Sequence, residues 1–292
     1  MNNRELIEIP CRPANPVDYL ACCGLADLAS RADKTAHTRW ETTAPIRFII
    51  GTRKAEAELL AMIMDTLCEQ KHWLPSRFGI AGQSSSVAAN FAVSQQNRFV
   101  VDLDWWYETL NEDGSVGTKS AWKMYAGQQT FDKILADMVS ACARIRAQSS
   151  CLIRLSDLLV ASIAMSGRFG FDPRSSRDAL NVGYSPNDLK IPVSTYPFAE
   201  LLAVFGAASF FPARAGTAGE LGSTRGWVAR GNDRVAFVYH LWPGALPVAL
   251  ARLAASWELS EGPALVSIRN NRKHYANLAI AKPAKTNEHE HE

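Results

Sequence analysis

Four histidines precede the last eight residues, His37, His72, His240 and His274, and a catalytic centre on any of them needs a nucleophile, a carboxylate or a second metal ligand nearby. His240 stands inside the apolar run 235–242, where a hydrogen-bonded core histidine is the expected role. Asp102 and Asp104 flank Leu103 on a predicted strand, so both carboxylates face one side, as a two-acid metal site requires. No histidine or third acid follows at useful spacing, and neither metal nor cofactor is expected. Six cysteines, at 11, 22, 23, 68, 142 and 151, form no CxxC or CxxH pair. Cys22 and Cys23 lie in an apolar helical pattern and read as buried free thiols, which suits a reducing, cytoplasmic compartment. The glycine pairs Gly79/Gly82 and Gly167/Gly170 make no phosphate loop, and Ser84 to Ser86 lack the glycines of a nucleophile elbow. No ATPase, nuclease or hydrolase signature is present, and a non-enzyme is expected.

Three polar, basic loops with aromatics between them offer a different chemistry. The first holds Lys119, Trp122, Lys123, Tyr125, Gln128 and Gln129. The second holds Arg168, Phe169, Phe171, Arg174, Arg177, Asn181, Tyr184 and Asn187. The third is the run Arg269, Asn270, Asn271, Arg272 and Lys273. Lys and Arg neutralise phosphates, Asn and Gln pair with base edges, and aromatic rings stack on unpaired bases or wedge between steps. The plainer reading of each loop is solvated surface, with Gln128 and Gln129 capping the helix that follows.

The elements that must position these loops read as α+β, with helices packed on short antiparallel sheets and hairpins. Asn15 and Pro16 supply an N-cap and a first-turn proline for a helix over 18–31. Further helices are predicted over 54–70, 131–147, 196–211 and 245–258, from apolar positions recurring at helical spacing. Strands are predicted at 6–9, 98–107, 226–230 and 234–242, with a strand or hairpin at 40–50. The segments 264–268 and 275–280 read as a hairpin around the third basic loop, and 166–197 as a long irregular stretch of the kind that carries function. Leu20 to Ala26 and Leu202 to Ala208 share the pattern LAxxGxA, each after a proline and before a Trp-containing strand region. The echo points to two related helix-plus-hairpin units.

The formal charge of +2 hides an asymmetry: residues 1–143 hold 14 Lys and Arg against 17 Asp and Glu, and residues 144–287 hold 17 against 9. An N-terminal α+β domain over 1–150, a basic C-terminal α+β domain over 151–287 and a disordered tail at 288–292 are therefore expected. No apolar run reaches the roughly 20 residues a bilayer span requires, so no membrane partner is expected.

Four segments carry a resemblance: NPVDYLACCGLADLASR (15–31), KMYAGQQTF (123–131), FDPRSSRDALNVGYSPND (171–188) and YPFAELLAVFGAASFFPAR (196–214). Together, and in this order, they resemble a small Csb-type CRISPR-associated protein of type I-U (renamed I-G), a Cas8-like subunit of the Cascade effector complex. The resemblance implies a non-catalytic subunit of an RNA-guided DNA-surveillance complex. Its partners would be other effector subunits, the CRISPR guide RNA, target double-stranded DNA and a recruited helicase-nuclease that does the cutting. In such complexes the guide reads sequence by base pairing, while protein reads a short adjacent duplex motif and guides the displaced strand. Lys123, Gln128, Gln129, Asn181 and Asn187 are then expected near the motif, with Arg168, Arg174, Arg177, Arg269, Arg272 and Lys273 on backbone. Two alternatives stand beside this: a packing subunit with little DNA contact, and an enzyme with its site in the 166–197 loop.

Overall fold

Asn15 takes an extended backbone (φ −88°, ψ 111°) and Pro16 opens helix α1, Pro16–Ala32, with Asp18 in its first turn and Arg31 in its last, as the helix dipole favours. Every residue from Pro16 to Ala29 is buried, so this helix is a core element rather than an amphipathic cover. The structure, a computed structural model, describes residues 4–75, 87–92, 98–102, 109–110, 116–117, 122, 124, 131–148, 152–165, 167–174, 193–210, 226–230, 234–256, 262–271 and 276–284. The expected tail lies outside these residues, as do Lys119, Lys123, Gln128, Gln129, Arg177, Asn181, Asn187, Arg272 and Lys273.

The fold is α+β. Strand β1, Glu5–Pro10, precedes α1, and β2, His37–Glu41, and β3, Arg47–Thr52, follow it as an antiparallel hairpin. Helix α2, Glu56–Cys68, comes next, then a three-stranded antiparallel sheet of β4, Trp73–Pro75, β5, Val87–Ala92, and β6, Arg98–Asp102. The ribbon β7, Thr109–Leu110, and β8, Val116–Gly117, precedes helix α3, Phe131–Gln148. A short pair, β9, Ile163–Met165, and β10, Val193–Thr195, leads into helix α4, Pro197–Ala207. Strands β11, Trp227–Arg230, and β12, Arg234–His240, form a second hairpin, followed by β13, Leu246–Pro247, and helix α5, Val248–Ala255. The chain closes with β14, Ala264–Asn271, β15, Ala276–Leu278, and β16, Lys282–Pro283.

The order strand, helix, hairpin thus occurs twice, as β1-α1-β2-β3 and β10-α4-β11-β12; helix α2 follows the first, while β13 separates the second from α5. The helices that carry the LAxxGxA echo pack on each other, and their glycines meet. A Cβ on Gly24 would land on the Leu202 carbonyl oxygen and 3.2 Å from the Gly206 nitrogen; one on Gly206 would land on the Leu20 carbonyl oxygen and 3.0 Å from the Gly24 nitrogen. The two backbones therefore touch at a reciprocal crossing that only glycine permits.

Packing crosses residue 150. Strand β13 joins β2 in the first sheet, whose order is β1-β3-β2-β13, and the Trp40 amide donates to the Trp242 carbonyl at 2.8 Å. Tyr19 stacks on Trp40 (5.4 Å, 8°) and donates its hydroxyl to the His240 carbonyl (2.9 Å), while the Tyr239 hydroxyl donates to the Pro13 carbonyl (2.6 Å). One core cluster contains residues from each of the helices α1 to α5.

Three elements differ from expectation. The helix predicted over 245–258 starts only at Val248, because the residue before Pro247 is pushed to extended backbone and pairs with Thr38 instead. The helix predicted over 196–211 ends at Ala207 and tightens into a 3-10 turn, Ala208–Phe210. Arg269, Asn270 and Asn271, expected in a hairpin tip, lie on β14 opposite Leu278, Asn277 and Ala276, since the ladder carries its backbone hydrogen bonds onward.

The crossing generates a test. Gly24→Ala or Gly206→Ala should cost about 3 kcal/mol through overpacking against backbone that cannot move, a fall in Tm of about 6 °C for a chain of this size. Gly244→Ala, where a Cβ meets nothing within 4 Å, should leave the thermal unfolding curve unchanged.

Candidate functional site

Gly170 has φ +95°, and a Cβ there would sit 3.0 Å from the Ala276 carbonyl oxygen and from Met124 Cβ. This left-handed turn, closed by the Leu278 amide on the Gly170 carbonyl at 3.2 Å, swings the chain inward at Phe171 and Asp172. Asp172 is fully buried. Its carboxylate accepts the Arg174 amide (2.9 Å) and Nε (3.0 Å), and its second oxygen pairs with Arg174 Nη2 at 2.9 Å. Its own amide donates to Glu200 Oε1 at 3.1 Å.

Arg174 joins these groups to α1. Its Nη2 lies 3.4 Å from Asp18 Oδ1 and its guanidinium carbon 3.6 Å from the centre of the Tyr196 ring, a cation–π contact. Asp18 also accepts Asn15 Nδ2 at 3.2 Å and the Arg12 amide at 3.3 Å. Asp18, Arg174 and Tyr196 form one wall of a groove of about 1040 Å³, whose other walls are largely apolar and include Pro10, Pro13, Pro45 and Pro263.

Three carboxyls thus meet at this node, and burial raises the pKa of two of them, Asp18 and Glu200. Burial pushes Asp18 up to about 6, the Arg174 charge pulls it back and Asp172 raises it. Burial lifts Glu200 to about 8, with the Asp172 charge adding to the effect. Glu200 is therefore protonated at neutral pH; its Oε2 is buried without a hydrogen-bond partner. Arg174 gains basicity: burial alone would lower it, but the Asp172 hydrogen bonds and charge outweigh that cost. A groove wall with a carboxyl titrating near 6 can give or take a proton near neutral pH.

Arg168 and Arg174, expected on nucleic-acid backbone, are turned into this node. Arg168 is 6% exposed and its charge acts on Glu200; a phosphate reaching Arg174 would have to displace Asp172. Arg269 is half-buried, and burial lowers its pKa. Asn270 is half-buried beside it. Three aromatics of the first two loops serve the core instead of stacking on bases: Trp122, Phe169 and Phe171 are 0%, 1% and 0% exposed, with Trp122 against Phe171 (6.0 Å) and Phe237 (5.0 Å), while Tyr125 and Tyr184 lie outside the described residues. His240 is buried on β12. Cys22 and Cys23 are buried free thiols, and burial lifts Cys23 to about 12. The predicted strand bearing Asp102 and Asp104 is described only as far as Asp102.

Asp18, Asp172 and Glu200 were not singled out in the sequence. Glu200 left a signal, as the only charged residue of the apolar helix Pro197–Ala207. Among the described residues no helix is long and apolar enough to cross a membrane. Comparison with family models, curated proteins and solved structures finds no match.

Glu200 makes stability depend on pH. The folded chain keeps the proton up to about pH 8, while the unfolded chain releases it near 4.5. Stability present below about pH 4.5 is thus lost as pH rises to about 8 and stays lost above. Glu200→Gln keeps an uncharged side chain of the same shape. Its stability relative to the unsubstituted chain should climb by about 1.4 kcal/mol per pH unit between pH 5 and 8, then level off. Urea unfolding of both proteins across pH 5 to 9 checks this; parallel profiles would contradict it.

Proposed function

We propose that this chain is a non-catalytic subunit of a type I CRISPR RNA-guided DNA-surveillance (Cascade) complex, contacting target DNA beside the protospacer-adjacent motif. The observation that carries this reading is the convergence of the four segments on which the resemblance rests. Asp18 comes from the first, Asp172 and Arg174 from the third, Tyr196 and Glu200 from the fourth. The second is tied in by Met124, whose carbonyl accepts the Ala276 amide at 2.7 Å, and by Phe131, whose ring lies 5.2 Å from Phe169. Segments far apart in the chain thus share one anchor.

The polar residues Gln128 and Gln129 stand between the anchors Met124 and Phe131, and Arg177, Asn181 and Asn187 between Arg174 and Val193. Both stretches are tethered to the same core. In this reading Lys123, Gln128, Gln129, Asn181 and Asn187 read bases, and Lys119, Arg177, Arg272 and Lys273 hold phosphates. Arg168 and Arg174 brace the framework between whose described residues those positions stand in the sequence. Guide RNA, neighbouring effector subunits, duplex target and a recruited helicase-nuclease are the partners this role requires, in the cytoplasm.

A second reading, an enzyme whose site lies at the 166–197 segment, draws on the Asp18 carboxyl that lines the groove, with Glu200 fully buried behind it under the Asp172 amide. Turnover of a nucleotide or cleavage of DNA by the purified chain, abolished by Asp18→Asn, would favour it.

Binding of the assembled complex to a library of motif variants tests the first reading. Gln129→Ala and Asn181→Ala should cost about 1–3 kcal/mol on the preferred motif and flatten the preference. Arg272→Ala should weaken all targets alike and reduce the salt slope by about one unit. Unchanged affinity and preference in all three would leave a packing subunit as the better account.

A further inference from the structure

The C-terminal end of α2 carries two carboxylates where a helix favours cations. Asp65 lies in its last turn, Glu69 is the residue that ends it, and no basic residue stands in that turn. The chain then tightens into a 3-10 turn, Gln70–His72, closed by the His72 amide on the Glu69 carbonyl at 3.0 Å. Trp73 locks the turn by donating Nε1 to the Thr66 carbonyl at 3.1 Å and packing on Phe205 at 6.0 Å. The spacing i, i+4, i+7 therefore places Asp65, Glu69 and His72 on one side of the helix end.

His72 is 5% exposed, and its Nε2 is buried without a hydrogen bond. That nitrogen lies 3.2 Å from Asp65 Oδ2 and 3.9 Å from Glu69 Oε2. One ligand atom from each of the three residues lies within 4.8 Å of the others. Donors bound tetrahedrally at about 2.1 Å from a metal stand about 3.4 Å apart, so small rotations of the two carboxylates close the set.

We propose that Asp65, Glu69 and His72 bind a borderline divalent metal ion of the Zn²⁺ class. Two carboxylate oxygens and an imidazole nitrogen suit Zn²⁺ or Co²⁺, whereas Ca²⁺ and Mg²⁺ take sites built of oxygen alone. The carboxylates remain 41% and 33% exposed, which leaves an entry path and an open fourth position. Two cations compete for Glu69. Lys71 pairs with it but is 69% exposed, so its ammonium can leave for solvent at little cost; Arg146 Nη1 lies 3.9 Å away on α3. A bound ion would offset the carboxylate repulsion at the helix end and tie α2 to the turn before β4.

Titration of the full chain with Co²⁺, read by its visible d–d bands and reversed by Zn²⁺, tests the site. The expected result is one equivalent bound, with a rise in Tm that saturates at that ratio. Asp65→Asn and Glu69→Gln, which preserve shape, should each weaken binding at least about tenfold, and His72→Gln should abolish it. A His289→Ala/His291→Ala variant should bind as the unsubstituted chain does. Unchanged binding in both carboxylate variants, loss only in the tail variant, or no bound equivalent would each overturn the proposal.

Discussion

The approach of Gly24 to Gly206 is the contact on which the remaining arrangement depends. With no side chain between them, α1 and α4 lie backbone to backbone, and each glycine faces the carbonyl of the other helix's leucine, Leu202 and Leu20. Residues at equal offsets from the crossing are then brought into comparable surroundings. Asp18 and Glu200 each stand six residues before their glycine. Both are buried carboxyls with raised pKa values, and both feel the charge of Asp172.

The two equivalent carboxyls resolve the cost of burial differently, and Asp172 is the reason. A buried carboxylate must be paired or give up its charge. Asp172 recruits Arg174 through two hydrogen bonds from Nε and an ion pair with Nη2, and the same guanidinium reaches Asp18 at 3.4 Å. One arginine thus serves two carboxylates. For Glu200, burial and the Asp172 charge outweigh the backbone hydrogen bonds from Asp172 and Phe171 and the Arg168 charge, so it retains its proton. Removing Arg174 would take away the cation that faces both Asp172 and Asp18, whereas Glu200→Gln replaces a carboxyl that is already neutral.

Much of the fold was legible because its signals are local. Asn15 and Pro16 announce α1, the apolar period announces α2 and α3, and the LAxxGxA echo marks two helices that meet at their glycines. What escaped was partnership between distant residues. Phe171 and Trp122 have the composition of a base-stacking loop, and only the left-handed turn at Gly170 directs that segment into the core. Asp65, Glu69 and His72 do share a local spacing. The 3-10 turn Gln70–His72 that carries the imidazole back to the two carboxylates leaves no pattern of its own in the sequence. Pro247 shifted a helix start for a reason visible in sequence, the extended backbone that a proline imposes on its predecessor.

The charge asymmetry between the two halves takes on a different meaning once pairs are known. Arg146, Arg154, Arg174 and Arg252 of the basic half pair with Glu69, Glu56, Asp18 and Asp27 of the acidic half. The excess of cations after residue 143 is thus partly the complement of the excess of acids before it, and it holds the chain to itself across residue 150. A count of Lys and Arg overstates what is available to phosphate, because a guanidinium already neutralised by a carboxylate releases no counterion when DNA arrives. Of the 17 cations in the basic half, these four at least are already committed to acids of the other half, so the electrostatic case for nucleic acid rests on the remainder and not on the whole count.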